Sequence, residues 1–111
     1  MTYNSVFKPD LFDGQTIVVT GGGSGIGRCT AHELAALGAQ VILVGRKQDK
    51  LQETAGEITQ DGGKASWQVC DIRDEDTVRG MVNRIVSEHG SIHGLVNNAG
   101  WSHRNMPALD V

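Results

Sequence analysis

The segment Val18-Val19-Thr20-Gly21-Gly22-Gly23-Ser24-Gly25-Ile26-Gly27 runs from an apolar strand through glycines straight into a helical pattern. A turn of that kind offers bare backbone N–H groups at the positive end of a helix dipole, so a phosphate is the expected guest. The spacing Gly21-x-x-x-Gly25-x-Gly27 meets three steric needs. The first glycine lets the chain reverse, the second lets a pyrophosphate approach the backbone, and the third lets the helix pack closely on the sheet. Gly23, Ser24 and Ile26 share the turn and complete the candidate phosphate-binding set. With 15 glycines in 111 residues, context has to decide, and Gly62-Gly63 reads as a plain turn. Here β-branched residues Thr16 to Val19 precede the turn, and a helical pattern of Ile26, Thr30, Leu34 and Leu37 follows it. A P-loop is excluded, because Gly27 is followed by Arg28-Cys29 and not by Lys and Ser or Thr.

The turn needs a sheet to hold it. Apolar strand candidates Thr16–Thr20, Val41–Val44, Ala65–Cys70 and Ile92–Asn97 alternate with helical patterns. The last helix carries Val78, Met81, Val82, Ile85 and Val86 as one apolar stripe, with Asp74 suited to its start and Gly90 to its end. The second uses Leu51, Ala55 and Ile58 and stops at Asp61-Gly62-Gly63, and the first stops at Gly38. Parallel strands joined by right-handed crossovers place helices on both faces, which predicts an α/β, Rossmann-type, doubly wound sheet of order 3-2-1-4. Ligands of such sheets bind at the carboxyl ends of the strands. Phe7, Leu11 and Phe12 of the lead-in are expected to pack under the first strand.

Composition narrows the classes. The chain is 39% hydrophobic and 21% charged, ordinary for a globular protein of one domain at most. A net charge of −3 with scattered basic residues argues against a nucleic-acid partner. No stretch is apolar enough to cross a bilayer, and Met1 to Asp10 lacks the core of a signal peptide, so a cytoplasmic protein without membrane partners is expected. Cys29 and Cys70 lack C-x-x-C spacing and read as reduced packing residues. His89 and His93 stand four apart, but Gly90 ends the helix between them, so they read as solvated loop residues and no metal site is predicted.

In the dinucleotide fold, an acidic residue at the end of the second strand accepts hydrogen bonds from the adenosine ribose. This sequence instead reads Val44-Gly45-Arg46-Lys47, which sets a guanidinium where a 2′-phosphate would lie and no carboxylate to repel it. NADP(H) is therefore expected over NAD(H), with Arg46 and Lys47 as its phosphate contacts. The competing account makes both residues the solvated start of the next helix.

These residues together resemble the short-chain dehydrogenase/reductase family. Thr20-Gly21-x-x-x-Gly25-Ile26-Gly27 is similar to its glycine motif, Cys70-Asp71-Ile72 to its adenine-contacting turn, and Asn97-Asn98-Ala99-Gly100 to its motif after the fourth strand. The resemblance runs from about Phe12 to Gly100. It implies that Asp71 and Ile72 flank the adenine and that Asn98, Ala99 and Gly100 line the ribose and nicotinamide side. From the residues alone, Asp71 also suits a helix cap, and Asn97-Asn98 a turn tying strands together.

The family transfers hydride between NAD(P)(H) and a carbonyl, alcohol or activated alkene. In most members a tyrosine passes the proton, a lysine four residues later lowers its pKa, and a serine and an asparagine position the substrate. A phenol with pKa near 10 needs such a cation to work near neutral pH. Tyr3, the sole tyrosine, is followed four residues on by Phe7, so no Tyr-x-x-x-Lys motif occurs and no catalytic residue is assigned.

The expectation is the dinucleotide-binding half of an oxidoreductase, residues 1–111, truncated before the catalytic half. By itself this piece is expected to be inactive and to aggregate or dimerise through an exposed fourth strand. By family analogy the full-length protein is expected to be a homo-oligomer. Phe7 to Phe12 looks similar to enoyl-CoA reductase-like members, whereas His103 to Val111 looks more like oxoacyl-carrier or sugar dehydrogenases. The substrate expectation is accordingly a small molecule, an acyl thioester or sugar-like. The alternatives are a non-catalytic dinucleotide-binding module or an inactive remnant.

Overall fold

The computed structural model describes residues 11–21, 23 and 25–97. Four strands, β1 (Thr16–Thr20), β2 (Gln40–Gly45), β3 (Lys64–Val69) and β4 (Gly94–Asn97), alternate with three helices, α1 (Gly25–Ala36), α2 (Gln48–Gln60) and α3 (Glu75–His89). The strands form one parallel sheet in the order β3-β2-β1-β4. This is the predicted doubly wound arrangement.

Alternation along the two inner strands builds both faces. Ile17 and Val19 of β1, with Val41 and Leu43 of β2, meet Ala31 and Ala35 of α1 and Leu51, Ala55 and Ile58 of α2. Val18, Ile42 and Val44 point the other way, onto Met81 and Ile85 of α3 and onto Cys70. Strand segments buried on both faces are apolar at every position, which is why 17–19 of β1 and 41–44 of β2 read as unbroken aliphatic runs.

Several expectations need adjusting. In α1 the buried residues are Gly27, Ala31 and Ala35, while Ile26 is 76% exposed. A helix lying close to a sheet turns its small side chains inward, so the predicted stripe begins one residue early. Val86 is also largely exposed, at the rim of the α3 stripe. Phe12 packs on the first core and its N–H donates to Leu37 O at 2.8 Å, but Leu11 is exposed and Phe7 lies outside the described residues. Cys70 is buried as expected, just past the end of β3, but Cys29 is exposed and packs no core.

His93 is not merely a solvated loop residue. Its Nδ1 accepts from Thr16 N at 2.9 Å and its own N–H donates to Thr16 O at 2.8 Å, which joins the start of β1 to the entry of β4. Among the described residues no helix is long and apolar enough to cross a membrane, and no three His, Cys, Asp or Glu residues gather as a metal site.

Candidate dinucleotide site at the carboxyl edge of the sheet

The register brings the strand ends to one edge: Thr20 pairs with Val44 and Asn97, and Gly45 with Val69. Two backbone bonds carry the pairing further, from Gly21 N–H to Val44 O and from Cys70 N–H to Gly45 O, each 2.8 Å. The glycine turn, Arg46-Lys47 and Asp71-Ile72 therefore leave the sheet side by side.

In the turn, Gly21 and Gly25 have φ of +68° and +59°, the left-handed region that a side chain disfavours. A Cβ on Gly25 would meet nothing within 4 Å, so this backbone faces open space, and it begins α1. The N–H groups of a helix's first turn lack intrahelical partners and are available to an anion. Gly23 serves another purpose: a Cβ there would meet Lys50 Cβ at 2.9 Å, so its bareness lets the turn seat on the start of α2. Gly27 is buried within α1, and Ile26 stands exposed at the mouth of the turn.

Arg46 and Lys47 are exposed between the end of β2 and α2. Lys47 is the residue before α2, with extended backbone, and its donor-only ammonium cannot cap the helix. Among the described residues Arg46 makes no hydrogen bond or ion pair, although its charge reaches Asp71.

Asp71 is tied closely to a neighbour. Its Oδ1 accepts from Arg73 N and Arg73 Nε, and its Oδ2 accepts from Arg73 Nη2, each at 3.0 Å. Those bonds first, and the Arg73 and Arg46 charges after them, hold the Asp71 carboxyl down at about 2. The helix-cap role belongs elsewhere, since α3 is capped by Asp74, whose carboxylate accepts from Asp76 N at 3.1 Å and Thr77 N at 3.3 Å. Ile72 sets its side chain against the core under α3, while its backbone N–H makes no hydrogen bond among the described residues. A free N–H beside a carboxylate oxygen offers one donor and one acceptor, the complement of the N1 acceptor and exocyclic amine on an adenine edge.

At the far end of the edge, Thr20 Oγ1 lies 2.9 Å from Asn97 Oδ1, to which it donates, and 3.3 Å from Val96 O. Asn97 thus does tie neighbouring strands together. Ser24, Asn98, Ala99 and Gly100 lie outside the described residues. Cys70, beneath the site, has its thiol pushed up by burial and by the charges of Asp71 and Asp74, which leaves it a protonated packing residue.

A family model described as short chain dehydrogenase matches residues 15–111. The chain belongs to the short-chain dehydrogenase family. Among solved structures, the chain is similar to a citronellol catabolism dehydrogenase of Pseudomonas aeruginosa, at 69% identity and a TM-score of 0.86, over 88% of this chain and 41% of that one. It is also similar to a metagenomic short-chain oxidoreductase in complex with NADP, at 36% identity and a TM-score of 0.79, over 89% and 45%. A third is an NAD+-bound xylitol dehydrogenase, at 35% identity and a TM-score of 0.78, over 82% and 35%. The chain spans only about two fifths of the citronellol catabolism dehydrogenase.

Sequence reasoning missed two features of this chain. One is Arg73, whose signal was the Asp-x-Arg spacing at the start of a turn. The other is a clasp between helices: Arg28 of α1 grips Glu57 of α2 through both carboxylate oxygens, and His32 Nε2 sits 3.0 Å from Glu57 Oε1. Burial works against the Glu57 charge, but the hydrogen bonds from His32 and Arg28 outweigh it and lower its pKa. The clasp joins the helix that starts at the glycine turn to the helix that follows Arg46-Lys47, and only the fold brings its members together.

Proposed function

We infer that this chain is the dinucleotide-binding part of an NADP(H)-dependent oxidoreductase. The observation that carries the reading is the exposed Arg46-Lys47 pair at the end of β2, on the same edge as the glycine turn and with no acidic residue at the strand's end. The turn from Gly21 to Gly27 would hold the pyrophosphate, Arg46 and Lys47 the 2′-phosphate, and Asp71 and Ile72 the adenine, with Ser24, Asn98, Ala99 and Gly100 completing the set by family resemblance. The cofactor supplies a hydride donor or acceptor, and these residues bind and orient it. The family members found with NADP and with NAD+ support a nicotinamide dinucleotide in general, and the cationic pair favours the phosphorylated form.

No Tyr-x-x-x-Lys motif occurs in these 111 residues, and none of them is assigned to proton transfer. The likeness to a citronellol catabolism dehydrogenase makes an acyclic terpenoid alcohol, or the carbonyl compound derived from it, the first substrate class to assay. It is assayed beside the acyl thioester and sugar-like classes expected from the sequence.

The test is equilibrium binding of NADPH and NADH to the wild type and to Arg46→Asp. A charge-assisted contact is worth about 1.5–3 kcal/mol, so the substitution should weaken NADPH about ten- to a hundredfold while NADH changes little. Equal losses for both cofactors would refute the assignment.

A further inference from the structure

The Asp71 carboxylate is more firmly held than a turn requires. The bond from Arg73 N to Oδ1 already closes an Asx turn, and Asp74 N–H to Asp71 O at 3.0 Å closes the backbone around it. The guanidinium adds a fork, Nε on Oδ1 and Nη2 on Oδ2, in a pair whose side chains are 38% and 51% exposed. A surface ion pair of that kind contributes little to stability, because solvent screens it and two side chains lose freedom. Its geometric effect is larger. An ionised carboxylate has about four acceptor positions, and Arg73 fills both on Oδ1 and one on Oδ2. The carboxylate plane is thereby fixed, and a single acceptor position on Oδ2 has no donor among the described residues. Without the fork, the carboxylate would be free to turn about its Cβ–Cγ bond toward Arg46, whose charge already reaches it.

We propose that Arg73 is a positioning residue for adenine recognition: it locks the Asp71 carboxylate so that its remaining Oδ2 acceptor faces the exocyclic amine, beside the free N–H of Ile72. The inference rests on the dinucleotide reading of this edge. The site then specifies adenine against hypoxanthine, because hypoxanthine carries an acceptor in place of the amine and a proton on N1, reversing both partners.

The test uses full-length protein and two ligands, NADPH and its deamino analogue with hypoxanthine in place of adenine, with Kd measured for wild type, Arg73→Met, Asp71→Ala and the double variant. The wild type should prefer NADPH by about tenfold or more, the scale of one hydrogen bond to a charged group. Arg73→Met should lose most of that preference while its affinity for the deamino analogue stays within about twofold, and the same substitution should change nothing further in the Asp71→Ala background. A merely structural role would weaken both ligands alike. Equal losses, an unchanged preference, or full additivity with Asp71→Ala would overturn the role of Arg73 while leaving dinucleotide binding intact. Failure of the wild type to bind either ligand would overturn the dinucleotide reading and this inference together.

Discussion

Asp71 shows how much one side chain can report about this site. Its folded carboxyl lies at about 2, below the ordinary 3.8, owing first to the side-chain bonds from Arg73. A depressed value means that the interaction favours the fold above the ordinary pKa and is lost as pH falls through the folded one, so the window runs from about 4 down to about 2. A carboxyl-carbon NMR titration should give Asp71 a midpoint near 2, and Arg73→Met should return it toward 3.8; a wild-type midpoint already near 3.8 would show that the fork does not persist in solution. At this scale the sequence identified which residues gather but not how they divide the work. Asp71 and Asp74 are both plausible caps by type, and only backbone geometry shows that Asp74 takes the helix and leaves Asp71 to the turn. Gly23 likewise belongs to the right segment, yet its bareness answers to Lys50, a neighbour that the linear sequence does not reveal.

Helices and strands were the more legible level. Within Thr16–Thr20 and Gln40–Gly45 the segments 17–19 and 41–44 are buried and therefore apolar, and α3 announces itself by a stripe and two end signals. The first helix was harder, because alanine and glycine face the sheet and the large residue Ile26 does not. Hydrophobic periodicity weights size, whereas close helix–sheet contact selects smallness. The division of labour between Asp71 and Asp74 also has consequences for α3. Removing an N-cap carboxylate costs about 1 kcal/mol. Asp74→Ala should lower the unfolding free energy by about that amount in a urea titration, and Asp71→Ala by clearly less; the reverse order would place the cap at Asp71.

For the molecule as a whole, alternating strand and helix patterns were enough to predict the order β3-β2-β1-β4, because right-handed crossovers leave few other ways to cover both faces. That topology sends the glycine turn, Arg46, Asp71 and Asn97 to one edge even though they span most of the chain. It also leaves β4 at an end of the sheet, with Leu95 61% exposed on the face that α3 covers beside it. The opposite end of the sheet carries an open groove of about 660 Å³ between α2 and β3, lined by residues such as Gln52, Thr59, Ser66 and Trp67 and by no charged side chain. A dinucleotide, with its phosphates, belongs at the cationic and glycine-rich edge and not in that groove. Backbone amide hydrogen exchange of the protein, with and without saturating NADPH, distinguishes the two places. Protection should concentrate in residues 20–27, 45–47 and 70–73. Binding that leaves those segments unchanged and protects the α2–β3 groove would place the dinucleotide elsewhere than on the glycine-rich edge.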